Sequence, residues 1–254
     1  MNKNILISVI MASNKVDEYL YLAVNSILEQ SYKNIELIFI ANGEKSSDIS
    51  SFLLNKINDS RLKIIETPIG QLSYSLNLGI SYAQGEYIAR MDADDISLPD
   101  RLIKQINFIK QNNLDMVGTD IKLINEKGDI IGTRRYPKKM DKINKELSYR
   151  NTFSHNTILI KKSILFSVRG YNSGFNSEDY DLWLRLRRYG VKWDNMDDCL
   201  LEYRIHDAST QRRRLGYAEA AGYSLREFLL NSSFSGLVAI IFHIMKVYIL
   251  SKKE

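Results

Sequence analysis

Two short acidic segments carry the side chains of this sequence that are best suited to chemistry. The first is Asp92-Ala93-Asp94-Asp95, which places three carboxylates within four residues. Carboxylates this close repel one another unless a cation neutralises them, and such hard oxygen ligands suit Mg²⁺ or Mn²⁺ together with substrate phosphates. A solvated turn that caps the next helix would explain the same residues. Their position directly after an apolar strand favours the metal site.

The second acidic segment is Ser177-Glu178-Asp179-Tyr180-Asp181. Asp and Glu are favourable at the positive end of a helix dipole, so capping of the following helix is one explanation. The alternative is that Asp179 is a general base, because a carboxylate poised by neighbouring charge can take a proton from an attacking hydroxyl. Spacing alone favours capping and leaves the second explanation open.

Strands that alternate with helices would bring these segments to one edge of a sheet. Continuous apolar runs predict buried strands over Ile5–Met11, Ile35–Ala41 and Glu86–Met91, with amphipathic helices between them. This alternation predicts right-handed βαβ units and a doubly wound α/β sheet that is mostly parallel. Ligands bind at the carboxyl ends of such strands, where Ala12-Ser13-Asn14 and Ala41-Asn42-Gly43 also lie.

The rest of the chain is expected to continue this α/β architecture, with a smaller and more antiparallel second half. Apolar periodicity predicts helices over Asp17–Gln30, Ile49–Ile57, Tyr74–Ala83, Asp100–Gln111, Asp141–Arg150 and Tyr180–Tyr189. The further predicted strands are Leu62–Glu66, Met116–Ile124, Ile130–Thr133, Thr157–Ile160 and one near Val191.

Charge is distributed unevenly along the 254 residues. The chain has 35 basic and 30 acidic side chains, yet residues 1–100 hold 13 acidic against 8 basic ones. Nucleic-acid binding needs a basic face with aromatic or groove-reading elements, whereas the positive charges here are spread over short clusters. We therefore expect no nucleic-acid partner. The single cysteine, Cys199, excludes an intramolecular disulfide.

The last part of the chain contains an apolar segment, Phe234–Leu250. Its 17 residues fall short of the roughly 20 that span a bilayer, so it fits an interfacial helix, a short span, or a helix buried against the domain or in a homodimer. Lys246, Lys252 and Lys253 suit anionic headgroups, and residues 1–10 lack the pattern of a secretion signal. We expect a cytoplasmic protein attached peripherally to the inner face of the cell membrane.

Several ordered segments together resemble glycosyltransferase family 2, the inverting enzymes with a GT-A fold, and within it the bacterial members that assemble O-antigen, capsule or similar polysaccharide. They are SVIMASN at Ser8–Asn14, NSILEQSYKNIELIFIANG at Asn25–Gly43, SLNLGISYAQGEYIARMDADDISLPDRL at Ser75–Leu102, SHNTILIKKSIL at Ser154–Leu165 and RGYNSGFNSEDYDLWLRLRRYG at Arg169–Gly190. The resemblance implies a GT-A domain over 1–210, with a nucleotide-sugar half over 1–100 and an acceptor half over 101–210. A helical, membrane-associating extension would follow over 211–254.

The resemblance also implies a nucleotide pocket and a metal site. The residues assigned to the nucleotide-sugar are Ala12, Ser13, Asn14, Asn42, Gln71, Asp92, Ala93 and Asp94. Asn42 stands where the family often has an aspartate that accepts the uracil N3–H, and an amide oxygen can accept the same hydrogen bond. Asp94 would bind Mn²⁺ or Mg²⁺ at the diphosphate. His206 lies where some relatives have a further metal ligand, although a lone histidine is as often structural.

For catalysis, Asp179 matches the base of the family's Glu-Asp motif. It would deprotonate an acceptor hydroxyl, which then attacks the anomeric carbon opposite the leaving group and inverts its configuration. Asp95, Glu178 and Asp181 would support the site, whereas Trp183 and His155 are expected to pack.

The segment Gln211–Leu215 resembles the QxxRW element of processive synthases without its Trp, so we expect a single addition. The expected activity is transfer of a hexose or N-acetylhexosamine from a nucleotide-sugar, with UDP favoured, to a lipid-diphosphate-linked or saccharide acceptor.

Two other functional classes are compatible with parts of the sequence. A sugar nucleotidyltransferase shares the α/β sheet and the metal carboxylates, but it should have a Gly-rich basic loop after the first strand, which Ala12-Ser13-Asn14-Lys15 does not provide. A non-catalytic nucleotide- or carbohydrate-binding module would not need an intact set of Asp92, Asp94 and Asp179.

Overall fold

The structure is a computed structural model that describes residues 5–172, 176–206, 213–232 and 234–250. Its strands are β1 (Ile7–Ser13), β2 (Ile35–Asn42), β3 (Leu62–Thr67), β4 (Tyr87–Arg90), β5 (Ile96–Ser97), β6 (Met116–Ile124), β7 (Ile130–Arg134), β8 (Leu159–Lys161) and β9 (Trp193–Arg204). Its helices are α1 (Leu20–Leu28), α2 (Ser46–Lys56), α3 (Leu72–Tyr82), α4 (Arg101–Asn112), α5 (Met140–Glu146), α6 (Lys162–Ser167), α7 (Glu178–Tyr189), α8 (Arg213–Asn231) and α9 (Phe234–Leu250). A 3₁₀ turn, His155–Thr157, precedes β8.

The strands form one sheet in the order β3-β2-β1-β4-β8-β6-β9-β5, with β7 paired to β6. The first four strands are parallel, and β2 is buried along its whole length. This burial follows from helices on both faces: α1, α2 and α4 cover one core, and α3, α5, α6 and α7 cover the other. The predicted doubly wound α/β sheet is therefore confirmed.

The second half of the sheet mixes both strand directions. β8 runs antiparallel to β4 and β6, and β7 forms a hairpin with β6. The pairing of β6 with β9 is parallel, so this half is less uniformly antiparallel than the sequence predicts. The Asn125 side-chain oxygen accepts the N–H groups of Lys127 and Asp129 and fixes the turn of the hairpin.

The strand predicted near Val191 instead begins at Trp193 and extends for 12 residues to Arg204. The acidic residues of this strand interrupt the apolar pattern from which strands are predicted. Their side chains make contacts outside the core. Asp194 accepts the N–H of Lys139, and Asp198 pairs with Lys104. The pattern also misses the short helix α6.

The last two helices pack against the domain along one side. His243 of α9 is buried, with Nε2 3.3 Å from both the Tyr180 hydroxyl and the carbonyl oxygen of Ser148. Lys246 donates to the carbonyl oxygen of Tyr149 at 3.3 Å. The opposite side carries exposed apolar residues, with Leu229 of α8 70% exposed.

The described helices include none that is both long and apolar enough to cross a membrane. Residues 207–212 lie outside the described part of the chain, and they include Gln211 and Arg212 of the predicted QxxRW-like segment.

Candidate active site

The carboxyl ends of β1, β2 and β4 lie side by side at one edge of the sheet. Ser13 pairs in register with Ala41, and Arg90 at the end of β4 pairs with Ile10. The backbone after β2 turns at Gly43, whose φ of +80° is the left-handed conformation that favours glycine. The sequence segments predicted to share this edge are therefore brought together.

Asn42 is oriented by a short hydrogen-bond chain. Its Nδ2 donates to Ser75 Oγ at 2.9 Å, and that hydroxyl donates to the carbonyl oxygen of Gln71 at 2.9 Å. This leaves the Asn42 amide oxygen as the acceptor at the edge, in a residue only 5% exposed. Gln71 itself is exposed just before α3.

The first loop at this edge is polar and accessible. Ser13 Oγ donates to the carbonyl oxygen of Lys15 at 2.9 Å, and Asn14 is exposed. Ala12 and Ala93 are partly buried and pack against the two cores.

Asp92 and Asp94 have different partners although they are two residues apart. Asp92 forms an ion pair with Arg90, a buried cation at the end of β4. Asp94 Oδ2 lies 3.0 Å from His206 Nε2, and Glu126 lies 3.6 Å from the other ring nitrogen. Burial, and then the charge of Asp92, raise the pKa of Asp94, which is the expected result for neighbouring carboxylates.

Asp95 holds the acidic loop against β9. It is buried and accepts the backbone N–H of Arg204 at 2.9 Å and the side-chain amide of Asn156. The Arg204 side chain in turn donates to the carbonyl oxygen of Asp94 at 2.9 Å. Burial and the charges of Asp92 and Asp94 raise the pKa of Asp95 well above its ordinary value.

A cavity of about 360 Å³ joins the two acidic segments. Asp92 and Asp179 both line it. Asn151 donates to Asp179 Oδ2, and the N–H of Tyr180 donates to Oδ1 at 2.7 Å. Burial raises the pKa of Asp179. Burial and the negative charge of Asp179 raise the pKa of Glu178 to about 7.

The other residues predicted near this site lie at different depths. Trp183 is fully buried against Phe153, as the sequence suggests, with ring centroids 5.4 Å apart. His155 lines the cavity, and its Nε2 is 2.8 Å from the Tyr171 hydroxyl. Neither Glu178 nor Asp181 is among the described residues that line the cavity.

Sequence reasoning overlooks three residues that organise the site. Arg90 had a local signal, since it is the only cation in the apolar strand EYIARM and directly precedes the acidic segment. Asn151 and Arg204 had none, because each meets its carboxylate through a contact between distant parts of the chain.

The donor atoms at Asp94 and His206 fit a divalent cation that also binds phosphate. Within the described ranges, no three His, Cys, Asp or Glu side chains are grouped closely enough to hold a metal by themselves. One carboxylate oxygen and one imidazole nitrogen are nevertheless adjacent and partly exposed. Mg²⁺ and similar cations usually take few protein ligands and complete their shell with water and substrate phosphates.

Asp181 connects α7 to α8. Its buried carboxylate accepts hydrogen bonds from Arg185 Nε at 2.7 Å, Arg226 at 2.5 Å and Asn172 Nδ2 at 3.0 Å. None of these partners is among the described residues that line the cavity, and together they neutralise the buried acid.

Replacing Asp181 with Asn should lower the free energy of unfolding by about 3 kcal/mol, because two guanidinium groups lose their buried partner. Chemical denaturation measures the change. The matched control is Asp198→Asn, which removes an exposed pair with Lys104 and should cost at most about 1 kcal/mol. Equal losses for the two variants would show that Asp181 does not tie the helices together.

Comparison with known proteins places these features in a family. The model of Glycosyl transferase family 2 matches residues 8–175. The chain is 47% identical over 247 residues to the O-antigen biosynthesis glycosyltransferase WbnJ of Escherichia coli, covering 96% of this chain and 97% of that protein. It is 28% identical over 214 residues to the E. coli UDP-Glc:alpha-D-GlcNAc-diphosphoundecaprenol beta-1,3-glucosyltransferase WfaP, covering 82% and 81% of the two chains.

Solved structures share the fold at low identity. S. aureus TarS 1-349 in complex with UDP-GlcNAc matches with a TM-score of 0.63 and 17% identity, over 86% of this chain and 66% of that one. The mannosyltransferase PcManGT from Pyrobaculum calidifontis, in complex with GDP-Man and Mn²⁺, matches with a TM-score of 0.68 and 13% identity, over 96% and 70%. The α/β architecture is thus that of GT-A glycosyltransferases. Because the family model covers well over half of the chain, the chain belongs to glycosyl transferase family 2.

Proposed function

We propose that this chain transfers a single sugar, with inversion, from a nucleotide-sugar to a lipid-diphosphate-linked or saccharide acceptor during surface polysaccharide assembly. The observation that carries the proposal is the cavity that joins Asp92 to Asp179. Asp92, proposed for the nucleotide side, and Asp179, proposed as the base, line the same space. The names of WbnJ and WfaP support the polysaccharide setting, and WfaP's name supports a diphosphate-linked acceptor.

The donor is proposed to lie along the carboxyl edge of β1, β2 and β4. Ala12, Ser13, Asn14 and Gln71 would line the nucleotide, and the Asn42 amide oxygen would accept the uracil N3–H. UDP is favoured because WfaP is named for UDP-Glc and TarS was solved with UDP-GlcNAc. The transferred unit would be a hexose or an N-acetylhexosamine.

Asp94 and His206 would hold Mn²⁺ or Mg²⁺, and the cation would neutralise the charge of the departing diphosphate. Asp95 and Arg204 fix the backbone that presents Asp94. Asp92, held by Arg90, would contact the ribose or uracil side of the donor, and the neighbouring Ala93 would line the nucleotide.

Asp179 would act as the general base. Its two oxygens are oriented by Asn151 and by the Tyr180 N–H, and a free lone pair can accept the acceptor hydroxyl's proton. The hydroxyl oxygen forms a bond to the anomeric carbon as the bond to the nucleoside diphosphate breaks on the opposite face. The proton stays on Asp179, the bonding electrons leave with the diphosphate, and the configuration inverts. Glu178 and Asp181 would support the helix that carries the base.

A panel of nucleotide-sugars with Mn²⁺ tests this function. We expect one donor to raise the melting temperature and to yield a product heavier by a single sugar, measured by mass spectrometry. Binding of a nucleotide-sugar with no acceptor yielding product would instead favour a binding module. Formation of a nucleotide-sugar from a nucleoside triphosphate and a sugar phosphate would favour a nucleotidyltransferase.

Residues 211–254, which contain α8 and α9, are proposed to form a peripheral extension. It would attach residues 1–210 to the inner face of the cell membrane. The outer side of the two helices exposes apolar residues, and Lys252 and Lys253 supply positive charge for anionic lipid. Lys246, also predicted to face lipid, instead contacts the domain through the carbonyl oxygen of Tyr149. The same surface would serve a homodimer if the protein self-associates.

Replacing both Ile241 and Met245 with Glu should lower binding to vesicles that contain anionic lipid by at least about tenfold, because charge is costly in the apolar interface. These side chains are 53% and 51% exposed, so folding should be retained. The control is Leu54→Glu, at a 65% exposed position on α2. Unchanged vesicle sedimentation of the double variant would contradict the membrane assignment. A change in oligomeric state alone would assign the surface to a homodimer.

A further inference from the structure

Three arginines line the same cavity as Asp179. Arg134 is the last residue of β7, Arg135 follows it, and Arg150 directly precedes Asn151, the hydrogen-bond partner of the base. All three are exposed, so their guanidinium groups lie at the rim of the cavity. We call these three residues the rim arginines.

The rim arginines are poorly neutralised by protein groups. Arg150 Nε donates to Glu146 Oε2 at 2.9 Å within one helical turn. In the part of the chain that the structure describes, no carboxylate forms an ion pair with Arg134 or Arg135. Two guanidinium groups and a partly neutralised third therefore meet at the mouth of one cavity. Guanidinium groups in this arrangement recognise phosphate through paired, charge-assisted hydrogen bonds.

The rim arginines line the cavity, whereas the proposed metal ligands of the donor are not among its described lining residues. The described lining residues of the cavity include Asp92 and Asp179 but neither Asp94 nor His206. Arg150 links the rim arginines to the base, since it directly precedes Asn151, which donates a hydrogen bond to Asp179.

We propose that the rim arginines form a phosphate subsite for the diphosphate that carries the acceptor sugar. The inference rests on the proposed function and deepens it, because it assigns the acceptor class from this chain's own residues. The cavity of about 360 Å³ accommodates a sugar unit beside Asp179. The phosphates then lie at the rim, and a lipid chain continues out of the site. An acceptor without phosphate would leave Arg134 and Arg135 without a counter-charge.

Geranyl diphosphate is a suitable probe, since it combines a diphosphate with a short prenyl chain and carries no sugar. Isothermal titration is performed with UDP and Mn²⁺ present, so that the donor's diphosphate site is filled. We expect the wild-type protein to bind the probe and to bind geraniol much more weakly. The double variant Arg134→Gln/Arg135→Gln should bind the probe at least roughly tenfold more weakly, as loss of charge-assisted hydrogen bonds predicts.

The control variant is Lys110→Gln, which removes an exposed cation on α4, away from the cavity. It should bind the probe as the wild type does. Because the rim arginines are exposed, the melting temperature of the double variant should match that of the wild type. UDP affinity should also be unchanged in the double variant.

Three results would contradict the proposed phosphate subsite. They are absence of probe binding to the UDP-loaded wild type, equal probe affinity in the double variant, and a loss of UDP affinity that matches the loss of probe affinity. The last result would place the rim arginines at the donor. All three are binding measurements, so they stay distinct from failure of the proposed function, which is failure to transfer sugar from any nucleotide-sugar.

Discussion

Replacing Asp179 with Asn should lower kcat by about 10²–10⁴-fold while leaving the donor KM and the melting temperature close to those of the wild type. The amide keeps the size of the carboxylate and can still accept the Tyr180 N–H. It cannot take the proton of the acceptor hydroxyl. Steady-state kinetics with the donor identified from the panel measures the effect.

The neighbouring acid provides a matched control. Glu178→Gln removes a carboxylate one residue away that is not among the described lining residues of the cavity, and it should retain far more activity. The wild-type pH profile gives a second readout. Burial raises the pKa of Asp179 above its ordinary value of 3.8, so the ionised base is lost, and kcat falls, as pH decreases through a value above 3.8. A wild-type rate for Asp179→Asn, or a larger loss for Glu178→Gln, would reassign the base.

Replacing Asp94 with Asn should weaken Mn²⁺-dependent donor binding by about 100-fold or more, because it removes one of the two proposed protein ligands. His206→Gln should act in the same direction if the ring nitrogen binds the metal. The measurement is the donor-induced shift in melting temperature as a function of Mn²⁺ concentration.

Glu126→Gln is the control for this second prediction. Glu126 lies 3.6 Å from the ring nitrogen of His206 that faces away from Asp94, so its loss changes local charge without removing a proposed ligand. It should leave the Mn²⁺ dependence nearly unchanged. If Asp94→Asn responds to Mn²⁺ as the wild type does, the cation is held elsewhere. If Asp94→Asn loses its response to Mn²⁺ while His206→Gln responds as the wild type does, the histidine is structural.

The parts of the fold that the sequence predicts well are those with local periodicity. β2 is a run of apolar residues between two turns, and its complete burial follows from helices on both faces. Asp17 was predicted near the start of α1, and its carboxylate accepts the N–H groups of Tyr19 and Leu20, both at 3.1 Å. These features depend on neighbours only a few residues away.

The parts that the sequence does not predict depend on contacts between distant segments. β9 contains acidic residues that break the apolar pattern, and they are accommodated because their partners come from α4 and from the chain before α5. In the candidate site, residue types after a strand end point to Asp94, whereas Asp179, near the start of α7, is singled out by the family resemblance. The hydrogen bond from Asn151 to Asp179 cannot be predicted from local residue spacing, because the two residues are 28 positions apart. The same holds for the buried contact between Arg204 and Asp95.

The configuration of the new glycosidic bond tests the central claim most directly. The reaction is run with wild-type protein, Mn²⁺ and a donor whose sugar is α-linked to the nucleoside diphosphate, and the anomeric proton of the product is examined by NMR. Direct displacement assisted by Asp179 predicts a β-linked product from the first turnovers. An α-linked product would contradict single displacement, and with it the role proposed for Asp179.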